Sequence, residues 1–342
     1  MIATFLRRRL LNIINAVKKL VYYGRAPSLS QSTSSVCATT IENYALLNAG
    51  GSSTSTVDAY DDALTKRQIE SPSVAREFLA ATTVGDYALF GGGNMSIYTA
   101  DTNRYETFAT VDAYNGSLTR TTPTALSVKR YSLAATTVGG YALFGGGALY
   151  SPNYDTYYAT VDAYNGSLTR TTPTALSVKR SGLAATTVGG YALFGGGNIY
   201  TSSLDTAYAT VDAYSNTLTR TTPHALSVAK AGLAATTVGD YALFGGDNAS
   251  KIVDAFDGSL TWSMPDQFPN TVTYSAATTL EGFAIFVGYS SNIYVYDESL
   301  TRINIRLSGL SNGADDATTI GNYALFGGGR SFSNPVFAYT IK

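Results

Sequence analysis

The stretch "ATVDAYNGSLTRTTPTALSVKR" runs from Ala109 to Arg130 and recurs letter for letter from Ala159 to Arg180. Around those copies the wording changes completely: "NMSIYTADTNRYETF" at 94–108, "ALYSPNYDTYY" at 148–158 and "NIYTSSLDTAY" at 198–208. Two weaker echoes carry the repeat through the chain. Ala-Thr-Thr, three residues and then an aromatic-Ala-aliphatic triplet begins at Ala38, Ala81, Ala135, Ala185, Ala235, Ala277 and Ala317. A V-D-A-Y tetrad or a degraded form of it alternates with that pattern, starting at Val57, Val111, Val161, Val211, Val253, Ile293 and Val336. Each occurs seven times, 50 residues apart in the central copies and about 40 to 54 apart elsewhere.

A period of roughly 40–50 residues is the span of one four-stranded propeller blade. Within one period, "LAATTV" and "YALFGG" are separated by Gly139-Gly140, a pair that tolerates the positive φ of a tight hairpin turn. "ATVDAY" then meets "LTRTT" across Asn115-Gly116 or Asn165-Gly166, a second hairpin signal. The period therefore reads as four strands, A to D. A lone blade would leave both faces wet, whereas seven set radially cover each other. The last period stops after its third strand, at "VFAYTIK", while "VYYGRAPSLS" (Val21 to Ser30) resembles "TRTTPTALS" (Thr119 to Ser127). The expectation is an all-β, seven-bladed propeller over 21–342, closed by the strand at 21–30 so that no sheet edge stays open.

Composition agrees. Among 342 residues, 33 Gly, 26 Tyr and only 14% charged side chains suit short strands and tight turns. A net charge of −1 gives no basic field for a phosphate backbone, so nucleic acid is not expected as a partner. Cys37 is the one cysteine and cannot form an internal disulfide; His224 is the one histidine, which removes most metal sites and catalytic triads. No cofactor or metal is expected. No stretch approaches the roughly 20 apolar residues that span a bilayer.

The first 20 residues, "MIATFLRRRLLNIINAVKKL", break the β pattern. Ala3, Leu6, Leu10, Ile13, Val17 and Leu20 follow helical spacing, while Arg7, Arg8, Arg9, Lys18 and Lys19 fall on other faces. A signal peptide fits poorly, because Asn12 and Asn15 interrupt the apolar core. The reading is an attachment helix over 1–20 that docks on a protein partner or self-associates through that seam. Lying on an anionic membrane surface or packing on its own propeller are the alternatives.

The double glycines (Gly91-Gly92, Gly145-Gly146, Gly195-Gly196, Gly245-Gly246, Gly327-Gly328), the following tyrosine and the large residue six positions on resemble the kelch-repeat family over about residues 21–342. Trp262, six after Phe256, stands where that family usually carries tryptophan, and Arg76, Arg130, Arg180 and Lys230 match its basic residue. The chain departs from the pattern at Lys66, Arg120, Arg170, Arg220 and Arg302, which occupy the tryptophan position. The resemblance implies a kelch-type propeller. Galactose oxidase belongs to that type, but its copper site needs histidine ligands and a cysteine-linked tyrosine, which one His and one Cys cannot supply. A sialidase-like chemistry would need a central arginine cluster, whereas Arg120, Arg170 and Arg220 fall in outer strands. The near-identical Thr-rich repeats also resemble arrays in proteins of gut Firmicutes and their phages, which implies a virion-surface or extracellular location.

The A–B and C–D turns of a blade share one rim, and the B–C and D–A connections share the other. All three divergent stretches are B–C connections. Tyr98, Tyr105, Tyr150, Tyr154, Tyr157 and Tyr200, with Asp205, supply aromatic faces and short polar groups there, the composition of binding surfaces. They are the candidate ligand-binding residues, for a glycan or a protein surface. The repeated Asp58, Asp112, Asp162, Asp212 and Asp254 recur once per blade and read as structural hydrogen-bond acceptors. With no nucleophile–base pair in view, the expectation is a non-enzymatic recognition protein, with a purely structural decoration or a secreted bacterial adhesin as alternatives.

Overall fold

The computed structural model describes residues 19–342 apart from 34, 52, 99–102, 202–204, 248–249, 273–274, 289–291, 304–312 and 330–333. Seven four-stranded antiparallel sheets follow one another. In the third, strand A is Ala134–Val138, B is Tyr141–Gly145, C is Val161–Asn165 and D is Arg170–Thr171. The seven A strands stand next to one another around a central channel, and the first of them, Ser35–Ile41, touches the last, Asp316–Ile320. The ring is closed.

Closure uses the beginning of the chain as anticipated. Leu20–Ala26 pairs antiparallel with Val336–Ile341 and supplies strand D of the seventh blade. The register shifts between Tyr22 and Gly24, which absorbs one extra residue as a bulge. Ser30 then donates its backbone N–H to Asp58 at 2.7 Å, as Ser127 does to Asp162 at 3.1 Å, so the segment repeats the role of its counterpart inside the chain. Leu20 departs from its expected place in a helical seam. It opens the closing strand opposite Ile341, and its side chain is buried beside Ile285 and Phe337, because an apolar residue at a sheet terminus gains more from the core than from solvent. Leu6, Leu10, Ile13 and Val17 lie outside the described residues, as does the rest of the expected helix.

Burial explains why the frame repeats. The glycine that ends strand B carries no Cβ because the next blade's phenylalanine occupies that space: a Cβ on Gly145 would lie 2.8 Å from the Phe194 ring. Phe144 in turn meets Tyr164 edge to face, with centroids 5.9 Å apart, an arrangement favoured by the ring quadrupoles. The buried Tyr164 hydroxyl donates to Thr124 O of the preceding connection at 2.8 Å. Leu89, Val111 and Leu126 share that interblade core with Phe144 and Tyr164, and Leu143, Val161 and Leu176 pack with Phe194 in the next one.

The C–D turn differs from the two-residue turn expected at Asn115-Gly116. Leu118 N donates to Asn115 O at 2.8 Å, the Asn115 side chain accepts from Thr119 N at 2.9 Å, and the left-handed residue is Leu118, at φ 63°. Leucine is costly there in isolation. Its side chain is buried against the neighbouring blade, which compensates.

Candidate functional site

Each regular joint between blades is built on a buried aspartate. Asp162 accepts from Arg130 (2.5 Å), from Ser127 and, more loosely, faces Arg170 (3.5 Å). Asp112 and Asp212 repeat the set with Arg76 and Arg120, and with Arg180 and Arg220. The fifth blade keeps the geometry with other chemistry: Asp254 accepts from Lys230 at 2.8 Å and from Trp262 Nε1 at 2.9 Å. Arginine and tryptophan alternate at this position because both place an N–H donor on the blade's buried carboxylate. Burial pulls the Arg130 guanidinium down to about 10, against the pull of Asp162. Burial alone would raise Asp254, but Lys230, Ser227 and Trp262 hold it below the ordinary carboxylate range. These groups are committed to each other. His224 lies flat on Trp262, centroids 4.6 Å apart, at the outer side of the same joint.

The channel carries a feature that sequence reading used only as a punctuation mark. The two threonines of each Ala-Thr-Thr link neighbouring A strands: Thr136 and Thr187 hydroxyls meet at 2.8 Å, Thr186 and Thr237 at 2.9 Å, and Thr40 and Thr318 at 2.6 Å. Thr187 also donates to Thr137 O and Thr237 to Thr187 O. Short polar side chains that satisfy each other tie neighbouring inner strands together, and the channel between them keeps a cavity of about 510 Å³ lined by Thr40, Thr186, Thr236, Thr278 and Thr318. The period of the motif is the signal that could have revealed this.

On the rim of B–C connections, the divergent stretches are themselves ribbons. Asn94–Tyr98 pairs with Asn103–Thr107, Ala148–Leu149 with Thr156–Tyr157, and Asn198–Tyr200 with Asp205–Ala207. They rise from blades two, three and four and lean on one another. The Tyr105 and Tyr150 rings meet edge to face at 4.9 Å, and Tyr150 N donates to Thr107 Oγ1. The Tyr157 hydroxyl accepts from Tyr200 N at 2.9 Å and donates to Tyr200 O at 3.1 Å. Asn198 Nδ2 donates to Asp205 Oδ1 at 2.8 Å. The Tyr131 hydroxyl donates to Asp155 across the foot of the middle ribbon.

Of the expected contact residues, Tyr105, Tyr154 and Tyr200 are 42%, 56% and 63% exposed, one on each ribbon. Tyr150 and Tyr157 are half-buried and join the ribbons, and Asp205 is exposed. The side chain of Tyr98 lies outside the described residues. Phe108, Tyr158 and Tyr208 are half-buried at the ribbon feet, where their N–H groups donate to Gly93, Gly147 and Gly197. The result is a crest spanning three blades, with exposed rings on a locked support.

Beside the crest opens the mouth of the channel, a cavity of about 400 Å³ that sequence reading did not single out. Its lip is a belt of interblade bonds: Phe78 N to Ser35 Oγ, Ser132 N to Phe78 O, Gly182 N to Ser132 O and Gly232 N to Gly182 O. The last four all have positive φ, and Phe78 (54°) is a bulky residue where its counterparts are Ser132, Gly182 and Gly232. Its ring is 46% exposed. One step inward, the inner strands present Cys37, Ala80, Ala134, Ala184, Ala234, Ala276 and Asp316 at matching positions. Asp316 accepts from Ala38 N (2.7 Å) and Ala317 N (2.8 Å), and burial pushes its carboxyl up to about 6. Burial, then the nearby Asp316, raises the Cys37 thiol well above its usual range, so it is a poor nucleophile.

The opposite rim is made of turns stacked on turns: a Cβ on Gly189, in an A–B turn, would lie 2.2 Å from Gly258 Cα, in the next blade's C–D turn. Lys19 and Lys342 pair there through two backbone bonds of 2.7 and 2.9 Å. Lys19 therefore lies at the rim away from the crest.

No family model and no curated protein matches the chain. Among solved structures, that of YjhT is similar with a TM-score of 0.64 at 12% identity, covering 82% of this chain and 99% of that one. At such identity the likeness concerns the fold, and it agrees with the seven-bladed propeller.

Proposed function

We propose that this protein is a non-enzymatic recognition propeller of kelch-like type that contacts a glycan or protein surface through the crest on its B–C rim. The observation that carries the reading is the alignment of Tyr105, Tyr154 and Tyr200, exposed on three successive ribbons whose other contacts hold them in place. Tyrosine offers a large, stiff contact area at small entropic cost, and the neighbouring Asn, Ser, Thr and Asp side chains offer hydrogen bonds. The basic, amphipathic segment ahead of Lys19 serves as the attachment, to a protein partner or a second copy. Because Lys19 lies on the opposite rim, the crest would face outward from whatever the segment holds. A virion-surface or tail-associated setting, or a secreted adhesin, suits that polarity.

A glycan array probed with the wild type and with a Tyr105→Ala, Tyr154→Ala, Tyr200→Ala variant tests the reading. Binding by the wild type that the variant loses supports it. Silence on every glycan, together with stable incorporation into a larger assembly, would leave a structural decoration as the better account.

A further inference from the structure

The chain is nearly neutral overall, but its charge is unevenly placed. The seven A–B turns and six C–D turns of the rim opposite the crest hold nine acids and no lysine or arginine, whereas residues 1–19 hold five basic side chains and no acid. Six of those acids are exposed: Glu42, Asp62, Asp86, Asp240, Glu281 and Glu298. The turns form without them, since Gly140 and Gly190 stand in the sister A–B turns where Asp86 and Asp240 do. The acids fall in blades five, six, one and two, while the turns of blades three and four carry none. Stacking of turn on turn joins them into an arc: Glu298 stands against Gly239 and Gly282, Asp62 against Gly321, and the Glu42 carboxylate fills the space that a Cβ on Gly116 would need. Blade seven lies at the middle of that arc, and there Lys19 pairs with Lys342. The basic run of residues 1–19 thus ends at the centre of the acidic arc. Whatever local bonds the carboxylates make, turns with nine negative charges and no positive one attract a cationic chain. Among the described residues the same turns expose no large apolar side chain, so they offer no cover for Leu6, Leu10, Ile13 and Val17. An identical seam on a second copy does.

We propose that the acidic arc is a self-association surface: two copies meet rim to rim, the basic segment of each seated on the other's arc, the apolar seams paired between them and the two crests facing apart. The proposal rests on the reading of the basic segment as the attachment, and it names a second copy as what that segment holds.

Sedimentation velocity of the full chain over a concentration series, at low and at high salt, tests it. A dimer is expected at about 50 mM NaCl, with a dissociation constant at least about tenfold weaker at about 500 mM, because attraction between surface charges is screened. Glu42→Gln, Asp62→Asn, Asp240→Asn and Glu298→Gln together should weaken the low-salt dimer at least about tenfold, and so should Arg7→Ser, Arg8→Ser and Arg9→Ser together. The two sets lie in different parts of the chain, so one stays readable should thermal melts show that the other folds poorly. A monomer at low salt, a dimer indifferent to salt, or a dimer that either folded variant leaves unweakened would overturn the proposal. Tyr105→Ala with Tyr154→Ala and Tyr200→Ala should leave the dimer unaltered. A wild type that binds glycan yet stays monomeric would end the dimer and leave the crest reading intact.

Discussion

The blade joints and the crest ribbons use the same two residue types in opposite ways. At the joint, Tyr164 and Asp162 are fully buried, each bonded to a fixed partner in the preceding connection, and their counterparts recur in the neighbouring blades. On the crest, Tyr154, Tyr200 and Asp205 face solvent, and no two ribbons carry the same sequence. What separates the two regions is burial. A buried carboxylate or hydroxyl tolerates little change, because an orphaned partner costs its full desolvation. A solvated one tolerates nearly any change, so the crest is free to vary while its support stays constant.

The sharpest way to break the contrast is at the joint. Asp162→Ala leaves Arg130 buried without its counter-ion and should cost about 3–5 kcal/mol in guanidinium unfolding. Replacing both partners by apolar residues of similar size should cost much less, since nothing charged is then left behind. Gly145→Ala, which drives a Cβ into the Phe194 ring, should cost about 1–3 kcal/mol.

The mouth is intermediate, and pH reads it. The folded-state carboxyl of Asp316 is raised to about 6, above the ordinary aspartate value near ~3.9, so the folded state binds the extra proton between those limits. Stability should therefore fall as pH rises through that window and then level off. Asp316→Asn should be more stable than the wild type by about 1 kcal/mol at pH 8, after allowance for partial solvent screening, with the gain vanishing below about pH 4. Thermal melts of the two proteins across pH 4 to 8 would check both sign and window; a gain that grew on acidification would contradict it.

The smallest effects belong to the crest. Tyr157→Phe removes the hydroxyl that ties two ribbons and should cost about 0.5–1 kcal/mol, whereas Tyr154→Ala should stay within about 0.5 kcal/mol. If Tyr154→Ala unfolded the protein, the crest would be part of the core and the contrast would collapse.

The blade count, the strand order and the closing segment were legible because each follows from a repeated burial pattern. Gly139-Gly140 marked its turn correctly, with φ of 54° and 80°. Asn115-Gly116 misled, since the left-handed position passed to Leu118, whose burial depends on a blade that local sequence does not contain. The rim carrying the candidate contact residues was likewise legible, as a consequence of strand direction alone. That Tyr150 and Tyr157 join ribbons while Tyr154 and Tyr200 face outward was not, because it depends on how three unlike ribbons lean together.

By itself the sequence determined the ring: seven copies of one alternation of apolar and polar residues can hide their faces only against each other, and the final copy lacks a strand that the beginning supplies. Tertiary structure alone decided the channel mouth. Phe78, Cys37, Asp315 and Asp316 come from three periods, and they meet only because closing the ring sets the first inner strand beside both the second and the last. Adjacency along a chain encodes local geometry, whereas a cavity at a symmetry axis belongs to all the blades at once.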